Sequence, residues 1–186
     1  MNYLLVIELV SVLFNLLFLY LYILEKKSCW IYGILGSLTG AFIVYSSNLY
    51  SETLLYLFYA LMGGFALVIW HTKSVETFLI KSMKPKSVLG VVVTGILLAL
   101  GLGFAMSNTD ADKPYVDALS TVFGVIATFL EIYKYHIAWS FWIAINIYSI
   151  GLYLSSDLFF YAAQSILYTI MSIYGLVAWQ KKLNAQ

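Results

Sequence analysis

Trp139, Trp142, Asn146 and Ser149 fall at i, i+3, i+7 and i+10 of an otherwise apolar run. At about 3.6 residues per turn this spacing puts all four on one face of a helix. Such a face offers recognition chemistry. Indole rings stack a flat heterocycle, and a carboxamide both donates and accepts hydrogen bonds. A cationic ring gains a further ~0.5–2 kcal/mol per aromatic contact. The spacing also fits interfacial tryptophans plus a helix–helix hydrogen bond, so the residues alone leave both readings open. Asn15, Thr121, Thr128, Tyr148 and the pair Gln164 and Tyr168 are further polar groups inside apolar runs. Polar side chains there mark either a site or a packing bond between helices. Asp117 and Glu131, near opposite ends of one run, read as interface-facing carboxylates.

Reaction chemistry finds little support. Cys29 is the single cysteine, and His71 and His136 are too few and scattered for a metal site. There is no GxxxxGK[ST] loop and no Ser/His/Asp set. No lysine sits in the middle of an apolar run, so no retinal Schiff base is available. The residues call for no cofactor, and the chain does not read as an enzyme.

The elements that carry these residues are membrane spans. Of 186 residues 62% are hydrophobic and 10% are charged, with no arginine and a net charge of +1. A soluble domain carries about 25% charged residues. A soluble enzyme, a disordered chain and a basic nucleic-acid binder are thereby excluded. Seven spans are predicted, over 3–24, 30–46, 50–70, 87–106, 115–135, 138–154 and 158–179. Pro85 and Pro114 both fall in connections, so no span is expected to kink. Spans two and six are short, so they either tilt less than the others or border a water-filled cavity. With seven spans, nine lysines fall on one side and only Lys113 on the other. Positive charge stays cytoplasmic, which predicts the N-terminus outside and the C-terminus inside. The outer side carries Glu52, Asp110, Asp112 and Asp157.

The chain also repeats itself. An offset of 109 residues aligns its ends without a gap: Trp30 falls on Trp139, Tyr59 on Tyr168 and Trp70 on Trp179. Each copy holds three spans, and the uncharged, glycine-rich span 87–106 separates them. The predicted fold is an all-α integral membrane protein in a 3+1+3 arrangement with two parallel three-helix repeats. Its parts are 1–70, a connecting part over 71–114, and 115–186. Substrate is held near midplane between the repeats of such architectures. The first copy's counterpart of the Trp/Asn face is Trp30, Gly33, Ser37 and Gly40. It reads as a packing face, with Gly36 and Gly40 forming a GxxxG.

The run Trp139-Ser-Phe-Trp142-Ile-Ala-Ile-Asn146 resembles the WxxWxxxN pattern of PnuC-type vitamin transporters. The flanking runs 119–128 and 149–154 resemble the family too, as do Trp30 to Ile34 and Tyr59 to Trp70. The likeness covers nearly the whole chain. It departs from the family where a glutamate often stands two residues before the first motif tryptophan; here that residue is Ile137. The resemblance implies uptake of a vitamin precursor across the bacterial inner membrane, among membrane lipid. Nicotinamide riboside is the first expectation and thiamine the alternative, while other members carry riboflavin or deoxynucleosides. It implies facilitated diffusion by alternating access, trapping by a cytoplasmic kinase, and assembly as a homotrimer. Trp139, Trp142 and Asn146 would line the site, joined on the residue reading by Ser149, Thr121, Gln164, Tyr168 and Asn15. Neither of the first two substrates needs a coupling carboxylate. The rivals are a sugar-carrying 3+1+3 transporter, whose usual proline in each repeat is missing here, and a non-transporting membrane scaffold.

Overall fold

The computed structural model describes residues 3–46, 50–73, 78–108, 114–155 and 157–185. The described residues form α1 (Tyr3–Ile23), α2 (Cys29–Ser46), α3 (Tyr50–Thr72), α4 (Pro85–Met106), α5 (Pro114–Ile132), α6 (Ala138–Ser155) and α7 (Phe159–Asn184). All seven expected helices are present. Most of the polar turn at 107–114, with Asp110, Asp112 and Lys113, lies outside the described residues, as do the side chains of Glu52 and Asp117.

Local chemistry sets the helix ends. Pro85 and Pro114 open α4 and α5, positions where a missing N–H leaves no bond unmade. The expected fifth span ran to residue 135, but α5 stops at Ile132. The reason is Lys134, whose φ of 58° is left-handed. Its N–H bonds the Glu131 carbonyl at 3.0 Å and the Tyr135 N–H bonds that of Leu130 at 2.8 Å. This double closure ends a helix sharply. The same closure ends α1, where Glu25 has φ 57° and Glu25 and Lys26 bond Tyr22 and Leu21, both at 2.9 Å. Glu25 and Lys134 are 109 residues apart.

The exterior is apolar and much of the interior is polar. Leu61, Val68, Leu97 and Phe104 are all more than 60% exposed, while Ser11, Thr128, Glu131, Asn146, Gln164 and Ser172 are buried. An outer surface this apolar belongs in lipid. α1, α2, α3, α4 and α7 are each long and apolar enough to cross a membrane, and α5 is a shorter apolar helix. The protein is a multi-pass membrane protein.

α1, α2 and α3 pack in sequence, as do α5, α6 and α7. The two groups meet where α1 touches α7 and α3 touches α5, and α4 packs on α5 alone. Gly36 and Gly40 let α2 approach closely, because a Cβ there would collide with Asn15 and with the Tyr56 ring respectively. Two apolar clusters lie at different depths. One, at the lysine-rich end, gathers Tyr22, Trp30, Trp70, Trp139, Trp179 and Phe78. The other gathers Val44, Tyr56, Tyr153, Leu158 and Tyr161.

The lysine-rich end is tightly bonded. Trp70 Nε1 donates to the Ile132 carbonyl at 3.0 Å, and Trp179 Nε1 donates to that of Ile23 at 3.3 Å. Donors and acceptors are both 109 residues apart, so the two bonds are reciprocal. Glu25 pairs with Lys134 at 2.8 Å and with Lys182 at 2.5 Å. Lys134 Nζ also donates to the Phe78 carbonyl at 2.9 Å and sits 4.6 Å from the Trp70 ring centre. A parallel bridge between Lys81 and Tyr135 also ties in the connection before α4. Burial by itself raises the Glu25 carboxyl, but the hydrogen bonds from Lys134 and Lys182 outweigh it and hold Glu25 below its usual value.

Candidate functional site

A cavity of about 140 Å³ lies between the two clusters. One enclosed water takes roughly 10–15 Å³ on this scale, so there is room for about ten, the scale of a small organic molecule. Six helices supply its wall. α6 contributes Trp142, Asn146 and Ser149 from one face, and α7 contributes Gln164, Tyr168 and Ser172. α1 brings Asn15 and Phe18, α2 brings Trp30, Gly33 and Ser37, α3 brings Tyr56 and Tyr59, and α5 brings Ser120, Thr128 and Glu131.

Six of the eight residues expected from sequence therefore meet at one cavity: Asn15, Trp142, Asn146, Ser149, Gln164 and Tyr168. Trp139 does not. It is 1% exposed, packs against Tyr22 and Trp179, and fills the space left by Gly175, where a Cβ would lie 2.6 Å from its ring. It shares a helical face with Trp142, but three residues of helix shift it by about 4.5 Å along the axis. That places it beyond the cavity, in the lysine-end cluster. Thr121 is half-buried and off the wall; its neighbour Ser120 lines it instead. One residue of α-helix turns a side chain by about 100°.

The first copy's face, expected only to pack, also reaches the cavity through Trp30, Gly33 and Ser37. Glu131 lies furthest from its expected place. It faces no interface; it is 4% exposed and lines the cavity. Its Oε2 accepts a hydrogen bond from Trp142 Nε1 at 3.0 Å. Its backbone carbonyl accepts from the buried Tyr22 hydroxyl at 3.0 Å. The sequence signal was a carboxylate one turn before a helix stop, read as the membrane edge. The connection before α4, with Phe78 and Ile80 buried, covers that edge.

Hydrogen bonds hold most of the wall in place. Tyr168 Oη donates to the Asn15 carbonyl at 2.6 Å, and Asn15 Nδ2 donates to Gln164 Oε1 at 3.4 Å. Tyr56 and Tyr153 share a hydroxyl–hydroxyl bond of 3.2 Å at the far end. The Tyr59 ring stands edge-on to Trp142, with centres 6.0 Å apart. Asn146 and Trp30, whose buried Nε1 has no partner in the protein, depart from this pattern; Asn146 is the amide of the two. Its Nδ2 is buried with no hydrogen-bond partner in the protein. An unmet buried donor costs about 1–3 kcal/mol, a cost that an acceptor in the cavity would relieve. Among the described residues no group of histidine, cysteine or carboxylate side chains could hold a metal.

A partly open cavity lined by aromatic rings and a few polar side chains, inside a multi-pass helical membrane protein, is the arrangement of a transporter of small molecules. The chain belongs to a transporter family: the model described as nicotinamide mononucleotide transporter matches residues 5–181. This is the family of PnuC-type proteins that the tryptophan–asparagine motif resembled, and its members are transporters and not enzymes. The chain is 25% identical over 165 residues to the nicotinamide riboside transporter PnuC of Haemophilus influenzae, covering 84% of this chain and 71% of that protein. It is 24% identical over 172 residues to the protein of the same name from Neisseria mucosa, covering 84% and 65%. Its fold matches the crystal structure of the vitamin B3 transporter PnuC with a TM-score of 0.83 at 21% identity, over 94% of this chain and 80% of that one.

Proposed function

We propose that this protein carries nicotinamide riboside across the bacterial inner membrane by facilitated diffusion. The observation that carries the reading is the unpartnered Nδ2 of Asn146 in the cavity wall, on the same face as Trp142. A carboxamide-bearing flat ring fits this pair: the ring lies against indole, and the amide meets amide. The family model is described by the mononucleotide and the two relatives by the riboside. The wall favours the riboside. Among its described residues there is no lysine, arginine or histidine to neutralise a phosphate, and there is one carboxylate, Glu131. Thiamine, also a flat cation, is the alternative.

All seven helices span the membrane in this reading, as 3+1+3, with 1–70 and 115–186 as parallel repeats and 71–114 connecting them. The reciprocal Trp70 and Trp179 bonds support a twofold relation between repeats. The lysine excess supports the N-terminus outside and the C-terminus inside. Alternating access then requires the lysine-rich, cytoplasmic end to part, breaking the Glu25–Lys134 pair. No ion gradient drives the cycle; a cytoplasmic kinase traps the product as a phosphate.

Uptake of labelled nicotinamide riboside into vesicles containing the purified protein, without an ion gradient, tests the reading. Saturable equilibration is expected, with Trp142→Ala losing most of the rate at normal folding. Folded wild-type protein that equilibrates neither nicotinamide riboside nor thiamine would contradict it.

A further inference from the structure

We propose that Glu131 is a specificity residue, the counter-charge that makes this cavity take a cationic ring in preference to its neutral counterpart. The inference rests on the transport reading above and deepens it. Three observations carry it. The carboxylate lies in the cavity wall and is buried. The Trp142 indole N–H fixes one of its oxygens. No lysine or histidine among the described residues pairs with it. Of the lysines at this end, Lys134 and Lys182 are both engaged by Glu25, and the chain has no arginine.

A buried carboxylate without a cation is costly, and a positive ligand relieves that cost. The surrounding rings suit the same ligand. Trp142, Trp30, Tyr59 and Tyr168 all line the cavity, and aromatic faces attract a delocalised cation. The indole of Trp142 thus has two tasks: its ring offers a stacking face, and its N–H aims the Glu131 carboxylate. A neutral ring of the same outline keeps the stacking and loses the charge pairing.

Calorimetric titration of the full-length protein in detergent separates the two contributions. The probes are nicotinamide riboside, whose ring is cationic, and dihydronicotinamide riboside, which keeps the carboxamide and the sugar but is neutral. Wild type is expected to bind the cation at least about tenfold more tightly, the size of a charge-assisted contact. Glu131→Gln retains an acceptor for Trp142 and is expected to bring the ratio close to one, chiefly by weakening the cation. Equal affinities in wild type, or an unchanged ratio in Glu131→Gln, would overturn the proposal. The wild-type ratio stands by itself should the variant fail to fold. Binding of thiamine alone, weakened by Glu131→Gln, would sink the choice of nicotinamide riboside and sustain the role of Glu131. Binding only of neutral ligands such as riboflavin or a deoxynucleoside would sink the role of Glu131.

Discussion

The lysine-rich end and the cavity use the same pairs of helices in opposite ways. At the lysine-rich end, positions 109 apart carry matched residues: Trp70 with Trp179, Ile23 with Ile132, Trp30 with Trp139. The bonds of the first two pairs are reciprocal, while Trp30, which also borders the cavity, and Trp139 pack through their rings with Nε1 unpartnered. Around the cavity Tyr59 and Tyr168 still match, but other positions differ: Gly33 faces the wall where its counterpart is Trp142, and Ser37 where its counterpart is Asn146. Tyr22 fills the sealed cluster, whereas its counterpart Glu131 lines the cavity. A matched frame costs little specificity because it only has to close. A site that grips one asymmetric molecule needs different groups on its two sides. Glu25 and Lys134 combine both behaviours: they are matched in position and left-handed backbone, yet opposite in charge, so they can pair across the junction.

The contrast can be broken first at that junction. Glu25→Ala leaves Lys134, whose side chain is 5% exposed, without its partner. Removing one member of such a pair costs about 3–5 kcal/mol. A large drop in melting temperature in detergent is expected, and a change of only a degree or two would show that the pair does not hold this end. The next effect is smaller. Trp70→Phe and Trp179→Phe each remove one indole-to-carbonyl bond, worth about 1 kcal/mol, plus some packing. Similar losses in the two variants are expected from matched positions; a severalfold difference would break the equivalence. The smallest effect is in pH. Glu25 is held below its ordinary value near 4.5, so its contribution is complete above that value. It is lost as pH falls through the lower value of the folded protein. Melting temperature should decline on acidification in wild type and decline less in Glu25→Gln.

Much of this frame was legible in the sequence, for physical reasons that also mark its limits. Helical periodicity and the rarity of amides in apolar runs picked out Trp142, Asn146, Ser149 and Gln164, all of which line one cavity. Periodicity reports direction around a helix and says nothing of depth along it, so it grouped Trp139 with Trp142. Thr121 shows the finer limit, since its neighbour Ser120 takes the wall position. Glu131 was hidden for another reason. It is buried against α6 and α1, where Trp142 bonds its carboxylate and Tyr22 its carbonyl, tertiary contacts that no local pattern of α5 encodes. The helix stop at Lys134 likewise comes from a left-handed residue that is not glycine, so the usual sequence signal is absent.

If the lysine-end cluster serves stability and the cavity serves binding, substitutions in the two should have opposite effects. Asn146→Ala and Trp139→Phe, compared side by side, test this most directly by nicotinamide riboside titration together with melting temperature. Asn146→Ala removes a buried amide whose Nδ2 has no partner; it should weaken binding at least about tenfold and leave the melting temperature unchanged or higher. Trp139→Phe opens space against Gly175 and Trp179; it should cost about 1–3 kcal/mol of stability, lower the melting temperature accordingly, and keep the affinity of the folded protein. The reverse pattern, with Asn146→Ala unstable but fully binding and Trp139→Phe stable but unable to bind, would contradict the account.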